Sequence, residues 1–348
     1  MNPEKKPGLP PARVLGIESS CDETAAAVLE NGRRLLSSVV ASQIDLHARY
    51  GGVFPEVASR QHIRTIYGVI DQALLQAHLS LSDLDAIVVT RGPGLAGSLV
   101  VGMNAAKGLA VGRSLPLVGV NHIEGHIYSA WVYPADTASP PPEPVFPLLA
   151  LLVSGGHTEL ILIRDHLKYE RLGATQDDAS GEAFDKVARI LGLPYPGGPS
   201  IQKSAAEGNP RAFNFPRARM EGSWDFSFSG LKTAVLRTVK GLEEEHKPLP
   251  VADLAASFQA AVVDVLFQKT LKAAEHFKVK EILIGGGVSA NRALREAFLG
   301  QETYKVHIPP LSLCTDNAAM IAAAGYYRFA LGQRDPLDLD ILPNWPLS

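Results

Sequence analysis

At 348 residues, with 20% charged and 46% hydrophobic residues, 31 Gly and 25 Pro, the chain has a loop-punctuated globular composition long enough for two lobes, which excludes a disordered or fibrous polypeptide. A formal net charge of −3 supplies no global basic field, so any nucleic-acid contact must be a local patch or be shared with a partner. The two cysteines, Cys21 and Cys314, give no disulfide framework and fit a reducing compartment, and no apolar run reaches the roughly 18 residues of a membrane span.

Met1 to Pro11 has neither an apolar core nor an Arg-rich amphipathic pattern, and reads as a frayed tail on a cytoplasmic protein. Arg13 to Ser42 then reads as strand, small polar turn (Ser19 to Glu23), strand, strand. A helix is expected over Pro55 to His78, with Ile63, Ile66, Tyr67, Ile70, Leu74 and Leu75 at helical spacing. Leu84 to Thr90 is a buried strand, Gly92 to Ser98 a Gly-rich turn, Leu99 to Val111 a helix, and Leu117 to Val120 another strand. That strand runs into Asn121-His122-Ile123-Glu124-Gly125-His126, where two imidazoles four apart share one helical face.

Pro134 to Pro147 holds six prolines and reads as an exposed connection between halves. The pattern then restarts: Leu148 to Val153, a small polar turn over Ser154 to Thr158, a returning strand over Glu159 to Arg164, and a third over Tyr169 to Leu172. Glu281 to Ile284 is a later buried strand, followed by a Gly-rich turn (Gly285 to Ser289) and a helix over Ala290 to Phe298. The same order of elements twice over implies a duplicated α/β lobe, whose natural ligand site is the cleft between lobes. The expected division is a first lobe over 12–133, completed by about 325–348, a connection at 134–147, and a second lobe over 148–324. An insertion over about 199–250 has no counterpart in the first half, and a long helix is expected over Asp253 to Phe277.

Both polar turns suit an anion, because small residues let backbone N–H groups converge without a side chain in the way. The Gly285 to Asn291 turn allows close approach of a flat group, with Asn291 available to hydrogen-bond it; it is neither the dinucleotide fingerprint nor a P-loop. Asp177 or Asp178 would cap the helix that carries Asp185, and Asp185 is placed to hold a ribose hydroxyl. Tyr195 to Pro199 is a rigid turn whose glycines could approach a ligand. His122 and His126, with Asp316 as a candidate third ligand, would leave open positions on Zn or Fe(II); two satisfied structural histidines is the alternative. A zincin needs Glu directly after the first His, and Ile123 stands there, with Glu124 facing elsewhere.

These motifs together resemble the Kae1/TsaD/Qri7 family, through Gly16 to Thr24, Asn121 to His126, Val153 to Thr158, Gly181 to Lys186, Tyr195 to Pro199, Gly285 to Asn291 and Thr315 to Met320. Departures are small: Ala26 and Ala27 where Gly is frequent, and a longer Pro-rich stretch. The resemblance implies the duplicated actin/Hsp70/sugar-kinase-like (ASKHA) fold. It also implies transfer of threonylcarbamoyl from threonylcarbamoyl-AMP to N6 of adenosine 37 in tRNAs reading codons that begin with A. The implied metal ligands are His122, His126 and Asp316, holding one iron or zinc ion. The implied substrate contacts are Leu152, Val153, Ser154, Gly155, Gly156, Asp185, Gly198 and Asn291, around an adenylate or ATP-type nucleotide with Mg2+ as a companion. Implied partners are tRNA, a TsaB-like paralogue and a TsaE-like ATPase, with no membrane. For that transfer Glu18 is a candidate general base, and Arg33, Arg34, Arg60 and Arg64 are candidate tRNA contacts or, alternatively, a solvated charged face. The rival readings are a metalloprotease and a non-catalytic, chaperone-like ATP-binding module.

Overall fold

The computed structural model describes residues 9–218, 220 and 222–347, so most of the expected N-terminal tail, 1–8, lies outside the described residues. The chain divides into two compact units: 1–44, 53–142 and 316–346 in the first, and 45–52, 143–315 and 347–348 in the second.

The first unit begins with β1 (Arg13–Glu18), β2 (Glu23–Glu30) and β3 (Arg34–Ser42), an antiparallel meander. A short helix, α1 (Ile44–Ala48), leads to α2 (Pro55–Gln76), which starts with Pro at its first position, where a missing N–H costs nothing. Then follow β4 (Ala86–Gly92), α3 (Ala96–Arg113), β5 (Leu117–Asn121), α4 (His122–Tyr128) and β6 (Tyr133–Pro134). The sheet order is β5-β4-β1-β2-β3-β6, with β1, β4 and β5 parallel. Leu15, Ile17, Val28, Ile87 and Val89 bury one face against α2 and α3. The apolar stripe expected on α2 divides: Ile66, Ile70 and Leu74 join this core, but Ile63, Tyr67 and Leu75 are exposed, and Ala58, His62, Val69 and Ala73 take the inward positions instead.

The second unit contains β7 (Leu148–Val153), β8 (Thr158–Asp165), β9 (Lys168–Ala174), α5 (Ser180–Ile190), α6 (Gly197–Ala205), α7 (Ser229–Glu244), α8 (Val251–His276), β10 (Glu281–Gly285), α9 (Arg292–Leu299) and β11 (Lys305–His307). Its sheet order, β11-β10-β7-β8-β9, repeats the first sheet's β5-β4-β1-β2-β3 strand for strand, in both direction and connectivity. The duplication read from element order is therefore present in the hydrogen-bond ladders. Helices α6 and α7 fall in the expected insertion. Helix α8 is the one helix among the described residues long and apolar enough to cross a membrane. Leu254, Phe258, Ala261, Val262 and Leu266 of α8 are fully buried in the second unit's core.

The last helix, α10 (Ala318–Ala330), returns to the first unit and packs on the sheet face opposite α2 and α3, against β1, β2 and β4. The return comes at Asp316, earlier than the expected 325. Small residues let α10 come close. A Cβ on Gly16 would stand 2.5 Å from the Ala318 carbonyl oxygen, and one on Gly325 would stand 2.1 Å from Val88 Cγ1. Both are well inside van der Waals contact.

Candidate metal centre

The centre is assembled where β5 ends. The Asn121 side chain accepts from the backbone N–H of Ile123 (2.9 Å) and Glu124 (3.4 Å), capping α4 at its first turn. With the helix starting at His122, His126 falls one turn on, on the same face. Gly125 lets α4 lie against α10, since a Cβ there would sit 2.8 Å from Ile321 Cδ1. Asn317 caps α10 by accepting from the Met320 N–H at 3.0 Å, which fixes Asp316 just outside the helix.

Asp316 Oδ1 lies 3.5 Å from His122 Nε2 and 3.4 Å from His126 Nε2, and one ligand atom from each of the three residues lies within 4.8 Å of the others. Two ligand atoms each about 2.1 Å from a tetrahedral ion stand about 3.4 Å apart. The Asp316–His spacings therefore suit a shared ion better than direct hydrogen bonds. His126 supplies the independent test: it is 2% exposed, and neither ring nitrogen has a hydrogen-bond partner. Buried imidazole nitrogens left unpaired are costly unless something else takes them. Burial disfavours a charged imidazole at His122, but the neighbouring Asp316 and Glu18 carboxylates outweigh it and raise its proton affinity. Burial likewise pushes the Asp316 carboxyl up, and the two imidazoles beside it hold it below its usual range. Carboxylates and imidazoles converging in this way favour a cation at their centre.

Glu18, at the end of β1, is fully buried behind His122. Its Oε2 accepts from Thr90 Oγ1 at 2.6 Å and lies 3.1 Å from His122 Nδ1, while Oε1 accepts from the Ser20 N–H. Ser20 Oγ stands 3.0 Å from the same Nδ1. A carboxylate here holds the proton on Nδ1 and leaves Nε2 as a lone pair aimed at Asp316 and His126, the arrangement by which second partners orient a metal-binding histidine. Burial raises the Glu18 carboxyl, but His122 and Thr90 more than offset it. The first polar turn, read from sequence as open to an anion, has Ser19 and Ser20 buried: Ser19 Oγ donates to the Ser98 carbonyl at 2.9 Å.

In the second unit, the Ser154 to Thr158 turn is open. Gly155 and Gly156 are exposed, and a Cβ on either would meet nothing within 4 Å; the same holds for Gly198 and Gly287. Leu152 and Val153 are buried in the sheet, so only their backbone can face a ligand. Gly286, at φ +87°, passes 2.5 Å from the Val153 carbonyl oxygen as judged at its Cβ position, which ties the Gly-rich turn to the end of β7. Asp185 Oδ1 accepts from the Gly197 N–H at 2.7 Å, joining α5 to α6, and burial raises its carboxyl. Asn291 is already engaged: Oδ1 caps α9 through the Leu294 N–H (3.1 Å), and Nδ2 donates to Gln259 Oε1 (2.8 Å).

Several expectations change. Neither Asp177 nor Asp178 caps α5, whose N-cap is Ala179. Asp177 instead accepts from the Phe228 N–H (2.8 Å) and Ser229 Oγ (2.6 Å) at the start of α7, and Asp178 pairs with Lys186 and Lys232. Arg33 is 8% exposed and donates to the carbonyls of Trp131, Pro141 and Pro142, so it anchors the Pro-rich connection rather than facing RNA. Arg34 pairs with Glu30 and Arg60 with Glu56. Glu124 faces away from the triad, as expected, and forms a buried pair with Arg328 at 2.6 Å. That pair, with Thr90 and His62, was missed by sequence reading, and Ser20 was read only as part of an anion-binding turn.

Comparison with known proteins gives a consistent result. The family model for TsaD, tRNA N6-adenosine threonylcarbamoyltransferase, matches residues 34–323. A tRNA N6-adenosine threonylcarbamoyltransferase from Dehalococcoides mccartyi is 55% identical over 331 residues, 95% of this chain and 98% of that protein. The enzyme of the same name from Symbiobacterium thermophilum is 55% identical over 347 residues, 98% of each. Among solved structures, HypF from T. kodakarensis superposes with a TM-score of 0.59 at 16% identity, over 92% of this chain and 48% of that one. Component A of the (R)-2-hydroxyglutaryl-CoA dehydratase of Acidaminococcus fermentans gives 0.51 at 14%, over 92% and 99%. At such identities the likeness speaks for the fold alone, the duplicated actin/Hsp70/sugar-kinase-like one.

Proposed function

Because this chain belongs to the tRNA N6-adenosine threonylcarbamoyltransferase family, we propose that it transfers threonylcarbamoyl from threonylcarbamoyl-AMP to N6 of adenosine 37 in tRNAs reading codons that begin with A. The observation that carries the mechanism is the His122, His126 and Asp316 cluster, with the buried ring nitrogens of His126 otherwise unpaired.

The N6 amine attacks the carbamoyl carbonyl carbon, the bond from that carbon to the phosphate oxygen breaks, AMP departs with the electron pair, and the N6 proton is lost. His122, His126 and Asp316 would hold one Fe2+ or Zn2+, which when bound would supply Lewis-acid polarisation of the carbonyl and charge neutralisation at the leaving phosphate. Glu18 keeps the His122 proton on Nδ1; with its oxygens already engaged, it serves as a positioning residue rather than the base. The backbone of 152–156, with Gly155 and Gly156 bare of side chains, and Gly198 hold the adenylate, with Asp185 and Asn291 stiffening the turns that present them. A TsaB-like paralogue and a TsaE-like ATPase assist in the cytoplasm, and Mg2+ accompanies the nucleotide.

The test is reconstitution from purified components with labelled threonine, bicarbonate, ATP and tRNA. Modified adenosine should form with the wild-type chain and be lost in His126→Ala; no product from the wild-type chain, under conditions where a curated relative is active, overturns the reading. The protease reading lacks its base: Ile123, 2% exposed, occupies the position that glutamate would need.

A further inference from the structure

Helix α2 contributes one side chain to the turn behind the metal centre. His62 is fully buried, its Nε2 lies 3.0 Å from the Cys21 carbonyl oxygen, and its Nδ1 lies 2.8 Å from Thr24 Oγ1. A carbonyl only accepts, so Nε2 carries the proton and Nδ1 accepts from the Thr24 hydroxyl. Thr65, one turn along α2, donates from Oγ1 to Thr24 Oγ1 at 3.0 Å. The Cys21 carbonyl also accepts from Ser98 Oγ at 3.2 Å, and the Ser20 carbonyl accepts from the Leu95 N–H at 2.8 Å. The turn that carries Glu18 and Ser20 to His122 is thus clamped from both α2 and α3.

We propose that His62 is a positioning residue for the transfer reaction: by bridging Cys21 and Thr24 it fixes the 18–24 turn, and that turn fixes the orientation of His122. The role needs a side chain that donates at one end and accepts at the other, at the span of an imidazole. Neutral histidine does so, and a glutamine amide can reproduce both bonds, whereas leucine fills the space and makes neither. With leucine the Cys21 carbonyl keeps only its Ser98 donor and the buried Thr24 hydroxyl loses its acceptor, and the hydroxyl's turn to another partner would pull the turn out of register.

The proposal rests on the metal-centre reading above, and the experiment separates the two. Apo full-length protein is titrated with Zn2+ against a chromophoric chelator, alongside kcat and KM for tRNA in the reconstituted reaction. Wild-type protein that binds no stoichiometric Zn2+ sinks the metal-centre reading itself. Given wild-type binding, His62→Leu should weaken Zn2+ about tenfold and lower kcat comparably while KM stays within about twofold, and His62→Gln should recover most of both. If His62→Leu does not fold, Thr24→Val, which removes only the hydroxyl partner, should weaken Zn2+ measurably. Equal losses in the Leu and Gln variants, or wild-type Zn2+ affinity in either Leu or Val, overturn the proposal.

Discussion

Glu18→Gln separates a positioning role from a proton-transfer role at the metal centre. Three groups address the Glu18 carboxylate: the Ser20 N–H at Oε1, and the Thr90 hydroxyl and His122 Nδ1 at Oε2. A carboxylate accepts all three. A glutamine has one accepting oxygen, so if that oxygen keeps the Ser20 N–H, its NH2 group confronts His122 Nδ1. The Thr90 hydroxyl can rotate to accept, but an Nδ1–H cannot. The imidazole escapes by moving its proton to Nε2, and Ser20 Oγ, 3.0 Å away, can then donate to Nδ1 and stabilise that tautomer. With a proton on Nε2 the ring no longer offers the metal a lone pair. Loss of such an outer partner typically costs 10- to 100-fold in affinity, or about 1.4–2.7 kcal/mol. The assay is Zn2+ or Fe2+ competition in stripped protein, followed by transfer activity at saturating metal. Tenfold or greater loss of affinity is the expected result, with activity partly restored by excess metal. Wild-type affinity with transfer abolished at saturating metal would refute the reasoning and make Glu18 the base.

Two further outcomes follow from groups around the same centre. Arg328→Met removes the cation paired with Glu124, which is fully buried on the triad helix, and should cost about 3–5 kcal/mol in urea unfolding; the Glu124→Gln, Arg328→Met double variant should recover much of that, because both charges leave together. Glu23 lies on β2, where burial, only partly offset by the Ser42 hydroxyl bond and reinforced by Asp22 and Asp316, pushes its carboxyl up to about 7. A carboxyl raised in the folded state favours folding below its ordinary value and loses that contribution as pH climbs toward 7. In stripped protein, Glu23→Gln should therefore gain in Tm relative to wild type between about pH 5 and about pH 8, and a constant difference across that range would contradict the cause assigned.

Local features were legible in the sequence, and long-range ones were not. The duplicated order of strands and helices could be read because alternating and continuous apolar runs are local signals, and the matching sheet orders bear it out. The His122/His126 pair was readable because four residues make one helical turn and Asn121 is a capping residue. Periodicity alone could not decide which side of α2 turns inward: Ile63 and Tyr67 fit the apolar spacing, yet the buried positions include His62 and Ala58. Glu18 looked like an acid beside a turn; only the fold brings it to a histidine 104 residues away, as it brings Arg328 to Glu124 across 204. The misassigned Asp177 and Asp178 have the same origin, since their partners Ser229 and Lys232 lie more than fifty residues downstream.

The centre's construction also explains why its third ligand comes from so late in the chain. His122 and His126 are set by β5 and its cap, and Glu18 by β1, the central strand of the same sheet. Asp316 needs a support that is rigid with respect to both, and α10 provides one because it is seated directly on that sheet. Gly16 on β1, Gly125 on α4 and Gly325 on α10 are points of close approach, and in each a single methyl would collide with backbone or with a packed side chain. Relieving such a collision by displacing α10 would take more than a few tenths of an ångström and would shift Asp316 relative to the imidazoles by a comparable distance. Metal ligation tolerates only about 0.2 Å in bond length. The small-residue packing between α10 and the sheet is therefore part of the metal centre's geometry, although none of those glycines touches the ligand atoms.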